Sequence, residues 1–221
     1  DTPVFAGKNF LITRSWRKNI VNEDPKYKGK KVIQIDPGIA FGWAHSTSLL
    51  TFELLEEYWQ GGSLLDVGTG TGLLAIAAAF LQPESHIDAF DISIDIVETA
   101  ACHLEINGVA DKVNLQVSDI TAYPLATYDL IAANLLPSIF LDIREELVKR
   151  LKPGGKIILS GFSDQGDIRT TAYFDWLPMV SDISNSKIYD VAEMFQQLGL
   201  ELVDKRTYEH WLALLMQAPE K

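Results

Sequence analysis

The chain has little cysteine, no histidine spacing that suits a metal, few basic residues and no long apolar run. Cys102 stands alone in 221 residues, so no intramolecular disulfide can form, and as a small hydrophobe it is expected in a helix core. His45, His86, His103 and His210 are scattered, and no metal is expected. A bilayer-spanning helix needs roughly 20 consecutive apolar residues; no run here approaches that, and no leader-like segment opens the chain. A cytoplasmic protein without a membrane partner is expected. Lysine and arginine number 19 against 30 acidic residues, a net charge of −11. Tight nucleic-acid binding needs basic side chains to displace counterions from phosphates, so that partner is excluded. The charge suits a basic protein or a small molecule, and it also serves solubility. There are no internal repeats or low-complexity tracts. The first residue is Asp1 rather than Met, which points to a trimmed chain or an excised domain.

What is present is a globular composition, 47% hydrophobic and 22% charged, at a length that suits one α/β domain with a short appendage. Residues 64–73 carry the main signal. Leu64, Leu65 and Val67 form a buried strand that contains Asp66, the turn holds Gly68, Gly70 and Gly72, and an apolar helix follows over 73–80. Strand, glycine turn and helix make the nucleotide-binding half of a doubly wound fold. Dinucleotide-binding chains use GxGxxG, with a helix N-terminus facing a pyrophosphate. The pattern here is DxGxGxG, whose carboxylate repels phosphate and suits a cation or an amine. S-adenosylmethionine, with a sulfonium and a free amino group, fits such a turn.

A second carboxylate is then expected at the next strand end, about 20 residues on, to grip the ribose hydroxyls. Asp91, closing the strand 86–91, supplies it, with Ile92 beside it. One strand later, 113–117 leads to Ser118 and Asp119, where a side chain can reach the adenine edge. Taken singly, each is an ordinary solvated strand-end residue. Together they lie where open α/β sheets bind ligands.

The remaining chain alternates strand and helix as a parallel sheet requires. Residues 9–13 and 31–35 are strand-like, joined by a polar loop with Pro25 and Gly29. Ser46 or Thr47 is expected to cap a helix whose apolar positions are Leu50, Leu54, Leu55 and Tyr58. Ser93 opens another, which turns Ile96, Val97, Ala100, Ala101 and Leu104 inward and closes at Asn107-Gly108. A strand 128–133 ends at Asn134, Pro137 opens a helix to about Arg150, and the Pro-Gly-Gly at 153–155 turns into a strand 156–160. A helix 191–198 precedes a hairpin of 200–206 and 211–217. Segment 164–190 breaks this rhythm. Loops longer than about 12 to 15 residues are usually functional or disordered, and Tyr173, Phe174 and Trp176 make this one too aromatic for disorder. It is either a lid or substrate wall beside the site, or a satellite core on the sheet.

The expected architecture is a doubly wound, seven-stranded, mostly parallel sheet with an antiparallel C-terminal hairpin and a short N-terminal β extension. Residues 1–45 are expected to form the extension and its closing loop, and 46–221 the domain that holds S-adenosylmethionine.

Residues 36–45, 64–73 and 131–137 together resemble the PrmA family, methyltransferases that modify a protein of the large ribosomal subunit. The loop DPGIAFG at 36–42 is similar to the family's pre-motif loop, and Ala133-Asn134-Leu135-Leu136 to its asparagine motif after the fourth strand. The closing run at 209–215 resembles its tail. The resemblance implies that the loop with Phe41 closes over the cofactor, and that Asn134 and the backbone of Leu135 face the methyl acceptor. Two departures bear on the substrate: the run after Phe41-Gly42 is shorter and bulkier, with Trp43 before His45, and segment 164–190 looks like an insertion. The family's separate N-terminal domain, which binds the ribosomal protein, is not in this sequence.

An amine acceptor must be neutral before it attacks, and a free lysine has a pKa of about 10.4. The Asn134 carbonyl is suited to orient a neutral amine. His45 either takes a proton or seats the substrate, or it is a structural histidine bonded within its loop. The leading reading is transfer to amino groups of a ribosomal protein. A small-molecule N- or O-methyltransferase, with the aromatic insertion as its pocket, and a non-catalytic nucleoside-binding module are the alternatives.

Overall fold

Alternation of side chains along the central strands decides the architecture. In a computed structural model, which describes residues 2–36, 38–41, 43–164 and 190–221, the motif strand β4 (Ser63–Val67) pairs in parallel with β5 (His86–Asp91) and β7 (Tyr128–Asn134). Leu64, Ile87, Leu130 and Ala132 point to one face; Leu65, Val67, Ile131 and Ala133 point to the other. Both faces are apolar, so helices must cover both. α1 (Ser46–Tyr58), α2 (Leu73–Leu81) and α3 (Ile94–Ile106) serve the first face; α4 (Pro137–Lys149) and α5 (Val191–Gln196) serve the second.

The sheet is completed by β6 (Val113–Val117), β8 (Leu151–Ser163), β9 (Glu201–Tyr208) and β10 (Trp211–Gln217), in the order β6-β5-β4-β7-β8-β10-β9. β10 runs antiparallel to both neighbours, the expected terminal hairpin. Its turn places Glu209, a non-glycine residue, at φ 53. The strand order reverses between β4 and β7, which puts the topological switch point at the glycine turn. The expected seven-stranded, mostly parallel sheet is what the chain forms.

Details differ from the sequence reading where local chemistry outweighs pattern. The Pro-Gly-Gly at 153–155 does not precede its strand: β8 starts at Leu151, and the three residues form a bulge between the pairs Tyr128–Leu151 and Leu130–Lys156. A bulge accommodates proline's missing N–H within a sheet. α1 is capped by His45, not by Ser46 or Thr47: its Nδ1 accepts from the Thr47 amide at 3.3 Å. Cys102 is exposed, because the buried stripe of α3 runs through Ala100, His103 and Leu104 and leaves position 102 outside.

The N-terminal extension is a small sheet in which β1 (Val4–Ala6) pairs antiparallel and β3 (Lys31–Gln34) parallel with β2 (Phe10–Thr13). Phe10, Ile12 and Ile33 join the same core as α1 and α2. One carboxylate fastens this appendage: Glu56 of α1 accepts from the amides of Lys8 and Asn9 and from Asn9 Nδ2 at 2.8 Å. Gly7, at φ +56, leaves room for it, since a Cβ there would overlap the carboxylate. Charge-assisted bonds of this kind contribute about 1.5 to 3 kcal/mol each when buried and less when exposed. Glu56→Ala is therefore expected to lower stability by about 1 to 2 kcal/mol and to speed amide exchange at Lys8 and Asn9 while leaving β4 protected. Hydrogen exchange with a denaturant titration checks this; unaltered exchange at Lys8 would remove Glu56 as the fastener.

Candidate functional site

The segments that leave β4, β5, β6 and β7 meet the start of α1 around a cavity of about 420 Å³. Such a volume suits a small-molecule ligand. Its floor is the glycine turn. Thr69 N–H donates to Phe90 O at 3.0 Å, Thr71 N–H to Phe41 O at 3.0 Å, and Gly70 N–H to Asp91 Oδ2 at 3.2 Å. Gly70 is at φ +56 and packs so tightly that a Cβ would overlap the Phe41 carbonyl. Only glycine joins that backbone conformation to that approach. Gly161, at φ +101, does the same on the far side, letting β8 come against the Leu135 carbonyl.

The cavity gathers Phe41, His45, Gly68, Gly70, Asp91, Ile92, Asp119, Asn134 and Leu135 from the residues singled out in the sequence. Asp91 accepts from Gly70 N–H and, at 3.3 Å, from Ser93 N–H, which holds it at the cavity edge with acceptor capacity to spare. Ile92 beside it is 77% exposed. Asp119 caps its own turn through Oδ1, accepting from the amides of Thr121 at 2.7 Å and Ala122 at 3.0 Å. Those bonds, the Thr121 hydroxyl first, hold its carboxyl below the usual range.

Asn134 sits where β7 ends. Its Nδ2 donates to Ser48 Oγ at 3.2 Å, while Oδ1 is buried with no hydrogen-bond partner among the described residues. Thr71 Oγ1, also on the cavity, is in the same condition. His45 packs between the Phe41 ring, 5.2 Å away, and the Trp211 ring, 4.7 Å away. Burial, and then the neighbouring His210, hold its imidazole below the ordinary pKa. With Nδ1 accepting from Thr47, the ring proton belongs on Nε2. The ring's acceptor nitrogen, Nδ1, is engaged by the Thr47 amide.

Three expected site residues lie elsewhere. Asp66 is buried beneath the turn, bonded to Thr69 Oγ1 at 2.7 Å, and does not line the cavity. Gly72 caps α2 at φ 80 and meets Ala100 of α3. Trp43 faces the N-terminal extension, where the Arg14 guanidinium lies 3.6 Å from its ring centre. Tyr173, Phe174 and Trp176 are outside the described residues.

Sequence reasoning missed Ser48, Trp211 and His103. Ser48 follows the cap by one helical turn, and Trp211 lies within the tail run already noted. His103 has no sequence signal. It bridges the two loops: Nδ1 donates to Thr71 O at 2.9 Å and Nε2 accepts from Asp36 N–H at 3.1 Å.

A doubly wound sheet with one reversed strand, a glycine turn at the switch point and carboxylates at successive strand ends is the architecture of a class I methyltransferase. Comparison with known proteins narrows this. The profile of the ribosomal protein L11 methyltransferase family (PrmA) matches residues 2–169. The chain is 38% identical over 188 residues to the ribosomal protein L11 methyltransferase of Geobacter sp. (strain M21), covering 81% of this chain and 59% of that one. It is 30% identical over 215 residues to that of Bacillus subtilis (strain 168), covering 96% and 61%. The crystal structure of a ribosomal protein L11 methylase from Lactobacillus delbrueckii subsp. bulgaricus superposes with a TM-score of 0.77 at 25% identity, over 99% of this chain and all of that one. An RNA methyltransferase from Salinibacter ruber, solved with S-adenosyl-L-homocysteine, shares the fold at a TM-score of 0.57 and 19% identity, over 80% of this chain and 95% of that one. The chain belongs to the PrmA family. It spans about three-fifths of the length of the curated relatives it matches.

The buried Asp66 makes stability depend on pH. Burial pushes its carboxyl up to about 7; hydrogen bonds from Thr69 and the Ala75 amide oppose the rise, and Asp91 adds to it. Because the folded value exceeds the unfolded one, the folded state binds more protons between roughly pH 4 and 7, and stability falls as pH rises through that window. The slope from this group is about 1.4 kcal/mol per pH unit at most. Asp66→Asn should flatten the curve, its advantage over the parent growing from pH 4 to 7 and then levelling. Urea titrations across that range check it, and parallel curves for the two proteins would contradict it.

Proposed function

We propose that this chain is the S-adenosylmethionine-dependent catalytic part of a PrmA enzyme and transfers methyl groups to amino groups of ribosomal protein L11. The observation that carries the reading is the buried, unpartnered Oδ1 of Asn134 at the wall of the cavity. The L11 assignment draws on the names of the relatives, and the acidic net charge of −11 complements a basic ribosomal protein. A cytoplasmic setting belongs to the same reading; among the described residues no helix is long and apolar enough to cross a membrane.

The residues suit the cofactor. Asp91 has acceptor capacity for ribose hydroxyls, Asp119 for the adenine amino group, and Thr71 Oγ1 offers a buried hydroxyl for the amino-acid end. Gly68 and Gly70 allow the backbone to approach, and Phe41 and Ile92 supply apolar cover. The cofactor contributes a methyl group already activated on a sulfonium. What remains for the protein is alignment, exclusion of water and selection of a neutral amine. An amine that donates N–H to Asn134 Oδ1 is held with its lone pair free. The apolar walls, Ile39, Leu135, Ile139 and Trp211 among them, disfavour an ammonium ion. With Nδ1 of His45 committed to α1, that histidine serves as wall and cap, and the amine's proton leaves to solvent before binding. In this reading residues 1–45 form an appendage that closes the cavity through 38–41, residues 46–221 form the catalytic body, and the backbone of Leu135 faces the acceptor.

Asn134→Ala should cut turnover on L11 by roughly tenfold to a hundredfold, the scale of a lost positioning contact, with S-adenosylhomocysteine affinity retained and the melting temperature nearly unchanged. Asp91→Ala should do the opposite, weakening S-adenosylhomocysteine binding by about 1.5 to 3 kcal/mol. Calorimetric titration and single-turnover methyl transfer separate the two. Normal turnover in the Asn134 variant, or unaltered cofactor affinity in the Asp91 variant, would remove that residue from its role.

A further inference from the structure

We infer that Arg150 is a positioning residue that sets the chain's preference for adenine; the inference rests on the S-adenosylmethionine reading. Arg150 follows the last turn of α4, and its guanidinium is almost completely buried, at 2% exposure. Burying a guanidinium is costly unless its donors are met; among the described residues Nε has no partner, and both terminal nitrogens do. Here Nη1 donates to the carbonyl and carboxylate of Glu146 at 3.1 and 2.8 Å. Nη2 reaches across to the segment between β6 and β7 and donates to Ile120 O at 2.8 Å and Tyr123 O at 2.9 Å.

Those two carbonyls belong to the turn that carries the adenine-side residues. Asp119 and Ile120 line the cavity. Asp119 closes the start of the turn with Oδ1, and Arg150 closes its end, so the turn is held from both sides. Tyr123, on the same turn, stacks on Phe90 at 4.8 Å, and Phe90 is itself a cavity wall. With Oδ1 occupied, the second carboxylate oxygen of Asp119 is the one left for a ligand donor. The exocyclic amino group of adenine is a donor; the oxo group of hypoxanthine at the same position is an acceptor, which a carboxylate repels. One nitrogen, Nη2, meets both turn carbonyls while Nη1 is anchored on Glu146, so the planar guanidinium holds the turn and α4 in a fixed relation that a single lysine nitrogen cannot copy. The aim of Asp119 therefore depends on Arg150, although Arg150 does not touch the ligand site.

The test compares S-adenosylhomocysteine with S-inosylhomocysteine, which differ in that group and in the proton that hypoxanthine carries on the adjacent ring nitrogen, by calorimetric titration of the unmutated chain, Arg150→Met and Arg150→Lys. The unmutated chain should favour the adenine ligand by at least about thirtyfold, since a site built to bond a donor rejects the analogue lacking it. In Arg150→Met the ratio should fall to about threefold or less, mainly through weaker binding of the adenine ligand, and Arg150→Lys should lie between. A merely structural arginine would weaken both ligands alike, so an unchanged ratio in the folded variants overturns the inference. Should Arg150→Met fail to fold, an unchanged ratio in Arg150→Lys overturns it equally. An unmutated chain that binds both ligands equally sinks the inference and leaves the cofactor reading standing; one that binds neither sinks both.

Discussion

The site depends on one close approach, the backbone of Gly70 against the carbonyl of Phe41. Because no Cβ intervenes, the Thr71 amide reaches that carbonyl, and loop 38–41 is drawn onto the motif turn. The contact places the Phe41 ring over the cavity. From there the order spreads through His45, which packs against Phe41, caps α1 and rests on Trp211 of the hairpin. His103 adds a second tie, holding Asp36 and Thr71 with its two ring nitrogens. A histidine that donates at one nitrogen and accepts at the other does so only when neutral. The N-terminal appendage is thus joined to the motif turn by backbone groups that any sequence carries, and by two histidines that only this geometry makes useful.

Much of this was legible in the chain before its structure. Apolar strand runs, the glycine turn and the alternation of strand with helix located β4 through β7, and the spacing of Asp91 and Asp119 put both at strand ends. The illegible parts share a cause: they depend on what lies opposite in space. Asp66 has the motif position of a ligand, yet its side chain turns under the loop and bonds Thr69 instead. Trp43 adjoins the site in sequence but finds Arg14, whose guanidinium stacks on its ring. Cys102 has an apolar side chain on the outer side of α3, a choice that helical period alone could have flagged. His103 and Arg150 are polar residues fully inside the fold, and a pattern-based reading expects such residues outside.

Those buried polar groups divide into two kinds. Asp88 is of the first kind, closed within the protein: it accepts from Tyr128 at 2.6 Å and from Asn114 at 2.8 Å, and it does not line the cavity. Networks of this sort fix strand register and tolerate no missing member. Arg150 straddles the two kinds, since its bonds are internal but the turn they hold lines the cavity.

Asn134 Oδ1 and Thr71 Oγ1 are of the second kind, buried at the cavity without a partner among the described residues. A buried acceptor left unmet costs about 1 to 3 kcal/mol, and neither atom is there for want of an alternative. On Asn134, Ser48 accepts from the amide nitrogen and leaves the oxygen to the cavity side. In the proposed reading a ligand supplies the donor. Binding then recovers what folding forgoes, and the recovered energy is tied to one orientation of the ligand's N–H. For a transfer whose donor is already activated, that orientation is the main thing the protein has left to contribute. In the proposed reading, these two atoms are the ones that orient the ligand.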